Sequence, residues 1–516
     1  MLPVLSEDFS NLACPQRLKS AMMTLTTSSA SESPVTPYLL FIIFITTLGP
    51  LQFGYHLAEL NAPKDVITCL KKSITLKGQT TTSGLPQCIP MNEFQFGIVT
   101  SSYTLGGLLG ALIAGPFATK YGRLLALRAT TIFFVLGPIA ETLATGIESL
   151  SAGRLISGIG AGAAIVVGPI YIAEVVHVSQ RGFFGAFTQV MTNVGILLSQ
   201  SLGYFLSRDS LWRIILAVAG AIGALELLGL FFVPESPIWL AEHQRAIHAR
   251  RILQRIRGKN NDIEPEVKAW RVPPGETDTR TSEEESLLTP PAGNLPPKRP
   301  PVSMLGVVAS PTYRPAIIAV IAVMVTQQFT GINSIVMYSV SILSDILPTT
   351  APLLAVVISA LNLIVTLLCA PLADKLGRKT CLLLSITGMG LNSMLLALGI
   401  AFNFQILSAI ATLLFVASFA VGLGPVPFIL ASELVGPEAV GAAQSWALGA
   451  NWTATFVVAQ FFPPLNVAMG GKGRIYWVFT ALAVVLGSFL ASWLPETKGK
   501  STMEEVWGLR EERRVD

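Results

Sequence analysis

Charged residues are scarce in this sequence. Only 13% of its 516 residues are Asp, Glu, Lys or Arg, and 51% are hydrophobic, whereas a soluble domain carries roughly 25% charged residues. This scarcity excludes an ordinary soluble protein. Because one crossing of a bilayer takes about 20 mainly apolar residues, the chain is long enough for a dozen membrane spans and their loops.

The sequence also lacks the usual elements of catalysis. It contains no P-loop, its four histidines are scattered, and no nucleophile with a base and no cluster of metal ligands is recognisable. We therefore predict neither an enzyme nor a nucleotide-driven pump. We expect no catalytic residues, no cofactor, no metal and no nucleic-acid partner.

Cysteines are few as well. Five cysteines do not make a disulfide framework. Cys69 and Cys88 fall in the same predicted outer loop, where a bridge and two free thiols are both open. Cys369 and Cys381 are expected to pack as small hydrophobic side chains.

Apolar runs, each interrupted by charge or by Pro and Gly, predict the fold class: an all-α integral membrane protein with twelve transmembrane helices. The runs begin near Tyr38, Phe94, Leu124, Gly153, Gly185, Trp212, Arg314, Pro352, Cys381, Ile406, Gly441 and Ile475.

The positions of the basic residues predict the orientation. Lys and Arg collect in short cytoplasmic loops, and basic clusters lie between spans two and three and between spans eight and nine. Both termini are therefore predicted to be cytoplasmic, although the first outer loop runs against the trend with Lys64, Lys71, Lys72 and Lys77. We expect a multi-pass protein of the plasma membrane, with a vacuolar or other internal membrane as the alternative.

An internal repeat divides the chain into two halves. The segment 115–123 returns as 370–378, Glu174 corresponds to Glu433, and the Pro-Glu pair at 234–235 corresponds to that at 495–496, all at nearly the same offset. Parallel repeats of six spans predict a substrate site near the middle of the bilayer, between the halves. The predicted divisions are an N-terminal tail (1–37), a first half (38–233), a linker (234–311), a second half (312–494) and a C-terminal tail (495–516).

The linker has two parts of different composition. Residues 240–258 alternate apolar and basic side chains, which predicts short helices on the inner membrane face or, alternatively, solvated charged helices. Residues 271–301 are rich in proline and acidic side chains, which predicts disorder.

Several motifs resemble those of a known family. Residues 51–63 are similar to the first span of facilitative glucose transporters, and Gln327-Gln-Phe-Thr-Gly-Ile-Asn333 is similar to their span-seven signature. Pro234-Glu-Ser-Pro237 and Pro495-Glu-Thr-Lys-Gly499 resemble the ends of each half in sugar porters. The chain is thus identified as a member of the sugar porter family of the major facilitator superfamily. The resemblance implies transport of glucose or another hexose by alternating access, with the sugar and the lipid bilayer as partners; it assigns no oligomeric state.

The resemblance also implies a binding site made of side-chain amides. An amide donates and accepts hydrogen bonds, as a sugar hydroxyl does, whereas an unpaired charge in the membrane is costly. By resemblance, the sugar-contacting residues are Gln189, Gln327, Gln328, Asn333, Asn362 and Asn451, together with Tyr338, which closes over the sugar, and Phe428, which stands where the family commonly has Trp. The alternatives are amides that join helices and a Tyr338 that anchors span seven at the interface. Gly331, and the segment 422–427 with its prolines, predict helix breaks in spans seven and ten.

A charged network is expected at the inner ends of the helices. Arg123 and Arg378 are predicted to meet Glu174 and Glu433, with Arg181, Glu235 and Glu496 nearby by family analogy. Such pairs would favour the outward-open state. The departures Thr119, Ile238 and Val440 from the family pattern predict a looser inner gate, and the alternative is ordinary charge of cytoplasmic loops.

Three further residues bear on protons. Related proton-coupled porters carry Asp at the position of His56, paired with the Arg matched here by Arg154, whereas uniporters carry Asn. A nearby Arg154 would keep His56 neutral. Glu59 would oppose this, carry the proton itself, or only face the outer water. Facilitated diffusion is therefore favoured, and the alternatives are proton symport and a transporter-like sugar sensor.

Overall fold

The computed structural model describes residues 35–70, 85–259, 261–270, 302–344, 350–369, 371–436, 438–500 and 503–508, which are helical with no strand among them. The residues outside these ranges include most of the N-terminal tail, Lys71, Lys72 and Lys77, the linker segment predicted to be disordered and the end of the C-terminal tail. We call the side with the two repeated loop motifs the inner side and the opposite side the outer side.

Six long helices make the first half. Spans one to six are Pro37–Ala58, Glu93–Tyr121, Arg123–Thr142, Ile147–Val175, Arg181–Leu206 and Trp212–Leu230. Two of these helices begin with a side-chain N-cap. The Leu39 N–H donates to Thr36 Oγ1 (3.2 Å) at the start of span one, and Asn92 and Gln95 form a capping box at the start of span two.

The second half repeats this order with two broken spans. Span seven consists of Arg314–Phe329 and Ile332–Leu343, and span ten of Gln405–Val421 and Val426–Glu433. The other spans are Ala351–Cys369, Arg378–Ala401, Val440–Ala468 and Ile475–Trp493.

Eleven of these spans, among the residues that the structure describes, are long and apolar enough to cross a membrane. The remaining one is span eleven, a helix of 29 residues. It carries Gln444, Asn451 and Gln460 and two adjacent prolines, which lower its hydropathy and suit a helix that faces other helices more than lipid.

Glycines bring spans two and four into backbone contact. A Cβ on Gly106 or Gly110 would collide with the main chain of span four, and one on Gly158 or Gly162 with that of span two. Small residues four apart are the usual means by which helices approach closely in a membrane.

The predicted break in span seven is confirmed. Gly331 adopts φ +97° between the two helices, a conformation that costs other residues about 1–2 kcal/mol. A Cβ there would lie 2.7 Å from Phe479 Cδ2. Span ten also breaks where predicted, at residues 422–425.

The linker contributes short helices that pack on the inner end of the first half. They are Pro237–Glu242, Ala246–Arg257 and Glu264–Ala269. Arg257 donates to the Val175 carbonyl (2.9 Å) at the end of span four and pairs with Glu266 (2.8 Å), while Thr36 donates to the Ile256 carbonyl (2.6 Å). The linker is therefore fastened to spans one and four.

On the outer side, Cys69 and Cys88 form a disulfide, which decides between the two states that the sequence left open. Cys381 is buried and Cys369 is half-buried, both as free thiols.

Candidate transport site

A cavity lies between the halves and is lined by residues of both. Its walls combine aromatic and aliphatic side chains with uncharged polar ones. The polar lining residues are Gln189, Thr192, Asn193, Gln327, Gln328, Asn333, Asn362, Asn451 and Thr455.

The amides of spans seven and eleven form a continuous hydrogen-bonded chain. Asn451 Nδ2 donates to Gln327 Oε1 (2.5 Å), Gln328 Nε2 donates to the same oxygen (3.2 Å), and Asn333 Nδ2 donates to Gln328 Oε1 (2.6 Å). Gln327 Nε2 continues to the Leu423 carbonyl (2.6 Å) in the break of span ten. The chain thus connects the broken helices through side chains that also line the cavity.

A second polar group joins spans five and eight across the halves. Asn193 Nδ2 donates to Thr366 Oγ1 (2.9 Å), and Asn362 Nδ2 donates to Asn193 Oδ1 (3.3 Å). Asn362 Oδ1 is buried without a hydrogen-bond partner in the described part of the chain, so it can accept from a ligand. Sequence reasoning missed Asn193, although an amide side chain in an apolar span could have identified it.

Phe428 and Tyr338 occupy different places. Phe428 lines the cavity and is 40% exposed. Tyr338 does not line it: its hydroxyl donates to the Ala459 carbonyl (2.6 Å) and its ring stacks on Phe462, with 5.3 Å between the centroids, beside a smaller outer pocket. In this conformation Tyr338 packs beside the outer pocket and does not touch the cavity.

Trp452 is an aromatic wall of the cavity that the sequence did not suggest. Its indole packs edge-on against Phe53 and Tyr103, at 5.7 and 6.0 Å between centroids. Its buried Nε1 has no hydrogen-bond partner among the described residues. A donor in such a position can bind a hydroxyl.

His56, Glu59 and Arg154 meet in the interior of the first half. Arg154 pairs with Glu59 Oε1 and donates to the His56 carbonyl (3.0 Å), and His56 Nδ1 lies 2.9 Å from the same Glu59 oxygen. All three are buried, so Glu59 does not face the outer water.

Glu141 of span three is a fourth member, which sequence reasoning missed. Its Oε2 lies 4.0 Å from Arg154 Nη1, and its Oε1 accepts from Ser157 (2.5 Å). Ligand atoms of His56, Glu59 and Glu141 lie within 4.8 Å of one another, the spacing of a metal site. The guanidinium of Arg154 already supplies a positive charge there, so we assign no metal.

The inner network forms two matching clusters. Arg123 is bidentate on Glu174 (2.7 and 2.9 Å) and Arg378 on Glu433 (2.9 and 3.1 Å). Each pair lies within one half, so neither pair joins the halves. Arg181 is exposed at the start of span five.

The remaining two acids of the network cap helices. Glu235 accepts from the Arg123 N–H (2.9 Å) and Glu496 from the Arg378 N–H (2.8 Å), at the first residues of spans three and nine, where the helix dipole favours negative charge. Burial raises the pKa of Glu235, and the backbone N–H groups that it accepts from oppose the rise.

Comparisons with known proteins agree on one family. The model of the family described as "Sugar (and other) transporter" matches residues 42–507. A probable metabolite transport protein of Saccharomyces cerevisiae is 33% identical over 93% of this chain and 97% of its own length. The human solute carrier family 2, facilitated glucose transporter member 3, is 29% identical over 92% of each chain. Among solved structures, the inward-open xylose transporter XylE from E. coli matches with a TM-score of 0.71 and 24% identity, covering 92% of this chain and all of that one.

Proposed function

This chain belongs to the family of sugar (and other) transporters with the major facilitator fold, and from that premise we propose that it carries glucose or another hexose across a membrane by alternating access. The observation that supports the proposal most directly is the cavity between the halves, lined by uncharged amides. Amides match the paired donor and acceptor character of sugar hydroxyls, and no charged side chain lines this cavity among the residues described.

Alternating access requires that one side of the cavity close while the other opens. Hydrogen bonds between the halves lie at mid-depth and on the outer side, as in Ser101 to Gln460 (2.7 Å) and Gln200 to the Val336 carbonyl (3.3 Å). Phe428, in the inner part of span ten, is the exposed aromatic wall of the cavity. This arrangement fits a state closed to the outside.

Radiolabelled uptake in cells without their own sugar transporters tests the proposal, with a panel of hexoses and pentoses at several external pH values. We expect saturable hexose uptake that unlabelled sugar competes away. Sugar binding to the purified protein without uptake would instead identify a sugar sensor. Absence of both would contradict the proposed function.

The proposed mode is facilitated diffusion, and one observation favours proton symport as a second candidate. Two buried carboxyls, Glu59 and Glu141, face the single guanidinium of Arg154. One cation balances one carboxylate, and a second unbalanced charge inside the membrane is costly. A proton held by one of the carboxyls, or by His56, whose Nδ1 lies 2.9 Å from Glu59 Oε1, would restore neutrality.

Accumulation distinguishes the two modes. Sugar that equilibrates at equal concentrations and ignores a protonophore supports facilitated diffusion. Symport is indicated if sugar is concentrated inside, if a protonophore abolishes this, and if Glu141→Gln or Glu59→Gln removes it. Glu148→Gln, an exposed acid at the start of span four, is the matched control.

The chain is a multi-pass membrane protein, and we propose that it lies in the plasma membrane with both termini in the cytoplasm. The basic loops between spans two and three and between spans eight and nine support this orientation. Accessibility of epitope tags at both ends in intact and permeabilised cells tests it.

A further inference from the structure

The turn after span one reaches across to the second half on the outer side. Asn61 Nδ2 donates to Ser339 Oγ (2.9 Å), and its Oδ1 accepts from the Val340 N–H (3.1 Å). Both partners lie on the outer helix of span seven. Since Asn61 is 1% exposed, its amide is matched by the opposite half and not by water.

Lys64, one turn further on, makes a second bridge. Its ammonium donates to Ser341 Oγ (3.0 Å) in the second half and to Glu93 Oε2 (2.9 Å) in the first, and it lies 5.3 Å from the centroid of the Phe96 ring. Lys64 is 5% exposed, and burial of a charge is costly unless it is paired and hydrogen-bonded. Separation of the halves would remove Ser341 from the ammonium and leave Glu93 with it.

The bridged serines share a helix with the cavity. Ile332–Leu343 is the 12-residue helix beyond the break at Gly331. Its first turn carries Asn333, which lines the cavity, and its last turns carry Ser339 and Ser341. A movement of this helix therefore changes the sugar site and the outer contacts together.

The Cys69–Cys88 disulfide fastens the same turn to the first half. Beside it, the Ile89 N–H donates to the Ile67 carbonyl (2.7 Å). The two residues before Cys88 accept from the start of span six: Trp212 Nε1 donates to the Gln87 carbonyl (2.8 Å) and Arg213 to the Pro86 carbonyl (3.0 Å). The turn carrying Asn61 and Lys64 is thus held on a rigid base.

We propose that Asn61 and Lys64, held in place by the Cys69–Cys88 disulfide, form an outer latch that closes the cavity by binding Ser339, Val340 and Ser341 of span seven. The role of the latch in a transport cycle rests on the proposed function, whereas the contacts that form it do not. It stabilises the outer-closed state, and the disulfide reduces the freedom of the turn that must find span seven on each cycle.

Labelling from the outside tests the latch without any sugar. In the parent protein, Cys14, Cys369 and Cys381 are each replaced by Ser, and Ile196→Cys places a single reporter thiol on the cavity wall. Cells are treated from the outside with a membrane-impermeant maleimide, and the rate at which this thiol is labelled is measured. We expect Ser341→Ala and Lys64→Gln each to raise the outer labelling rate about threefold to tenfold, the effect of losing one hydrogen bond. Asn61→Ala removes two hydrogen bonds between the halves and should raise the rate at least as much. Ser344→Ala is the control, because Ser344, at the end of the same helix, donates to the Ser341 carbonyl of its own half.

The role of the disulfide is tested in the same parent by Cys69→Ser with Cys88→Ser. We expect faster outer labelling, and adding Ser341→Ala should then have less than its separate effect, because both changes weaken one device. Unchanged labelling in Ser341→Ala and Lys64→Gln at normal surface abundance would overturn the latch, and unchanged labelling in the cysteine pair would overturn the part given to the disulfide. If the variants change the labelling rate as expected but the protein transports no sugar, the proposed function is contradicted and the latch is not.

Discussion

At the scale of single residues, the amides that line the cavity could be predicted, whereas Glu141, a member of the buried charged cluster, could not. An amide in an apolar span is conspicuous because burying it is costly. The motif from Gln327 to Asn333 indicated which amides of span seven line the cavity. Glu141 was equally conspicuous as an acid in span three. Its partners Arg154 and Ser157 come from another helix, however, and only packing shows that they meet.

Tyr338 shows a different limit of sequence reasoning. The resemblance predicts that it closes over the sugar, but the structure places its ring on Phe462 outside the cavity. Asn333 and Tyr338 lie five residues apart on the same helix, Ile332–Leu343, which places them about 140° apart around its axis. The face that carries Asn333 into the cavity therefore turns Tyr338 away from it.

Gln328→Ala tests the amide chain. Gln328 accepts from Asn333 and donates to Gln327, so its loss leaves buried amides unpaired and removes a ligand for the sugar. We expect sugar affinity to fall by about 1–3 kcal/mol, measured as the apparent affinity for uptake at normal surface abundance. Gln95→Ala, which alters only the cap of span two, should leave the affinity unchanged. Equal affinity in Gln328→Ala and parent would remove Gln328 from the site.

At the scale of elements, the apolar runs predicted the positions of the spans well and the first turns of some of them less well. Spans six, seven and twelve begin at the predicted residues, whereas span four begins at Ile147 instead of near Gly153. Glu148 lies outside the predicted apolar run, which begins near Gly153. It instead lies in the first turn of the helix, where an acid is favoured by the dipole.

The break in span seven is the element on which both the cavity and the outer contacts depend. In Gly331→Ala, the backbone strain and the contact with Phe479 should lower stability by about 1–2 kcal/mol or more and reduce uptake. Thermal unfolding in detergent and transport assays measure the two effects.

Gly449→Ala is the control for Gly331→Ala, because a Cβ at this position of span eleven meets nothing within 4 Å. It should leave both stability and uptake near those of the parent. Parent-like stability and uptake in Gly331→Ala would show that span seven does not need its break.

At the scale of the whole molecule, the repeat predicted two equivalent halves, and the inner clusters match in their bidentate Arg–Glu pairs and in the acids that cap spans three and nine. They differ in that Arg378 also pairs with Asp374, where the first half has Thr119. Each arginine pair closes within one half, as the positions of its residues in 38–233 or 312–494 already indicate. Sequence reasoning expected them to separate as the inner side opens, but a contact inside one rigid half can persist through the cycle.

Charge reversal at Arg123 tests this difference. Arg123→Glu places a carboxylate beside Glu174 and Glu235, and we expect stability to fall by about 3 kcal/mol, as when a largely buried pair is broken. Arg123→Glu with Glu174→Arg should recover part of the loss. Thermal unfolding measures both.

The balance between inward-facing and outward-facing states shows whether the Arg123–Glu174 pair acts only within its half. If the pair acts within its half, cysteine labelling from the two sides should change little in Arg123→Glu. A large shift in labelling at unchanged stability would instead show that the pair controls the equilibrium between inward and outward states.

The self-paired amide chain of Asn451, Gln327, Gln328 and Asn333 has a consequence for the speed of the cycle. Without sugar, these side chains satisfy one another, so the empty carrier keeps its hydrogen bonds. An arriving hydroxyl exchanges one amide contact for another, and its departure reverses the exchange. For the transport proposed above, we therefore expect a small free-energy difference between the loaded and the empty carrier, and with it a modest affinity and a fast turnover.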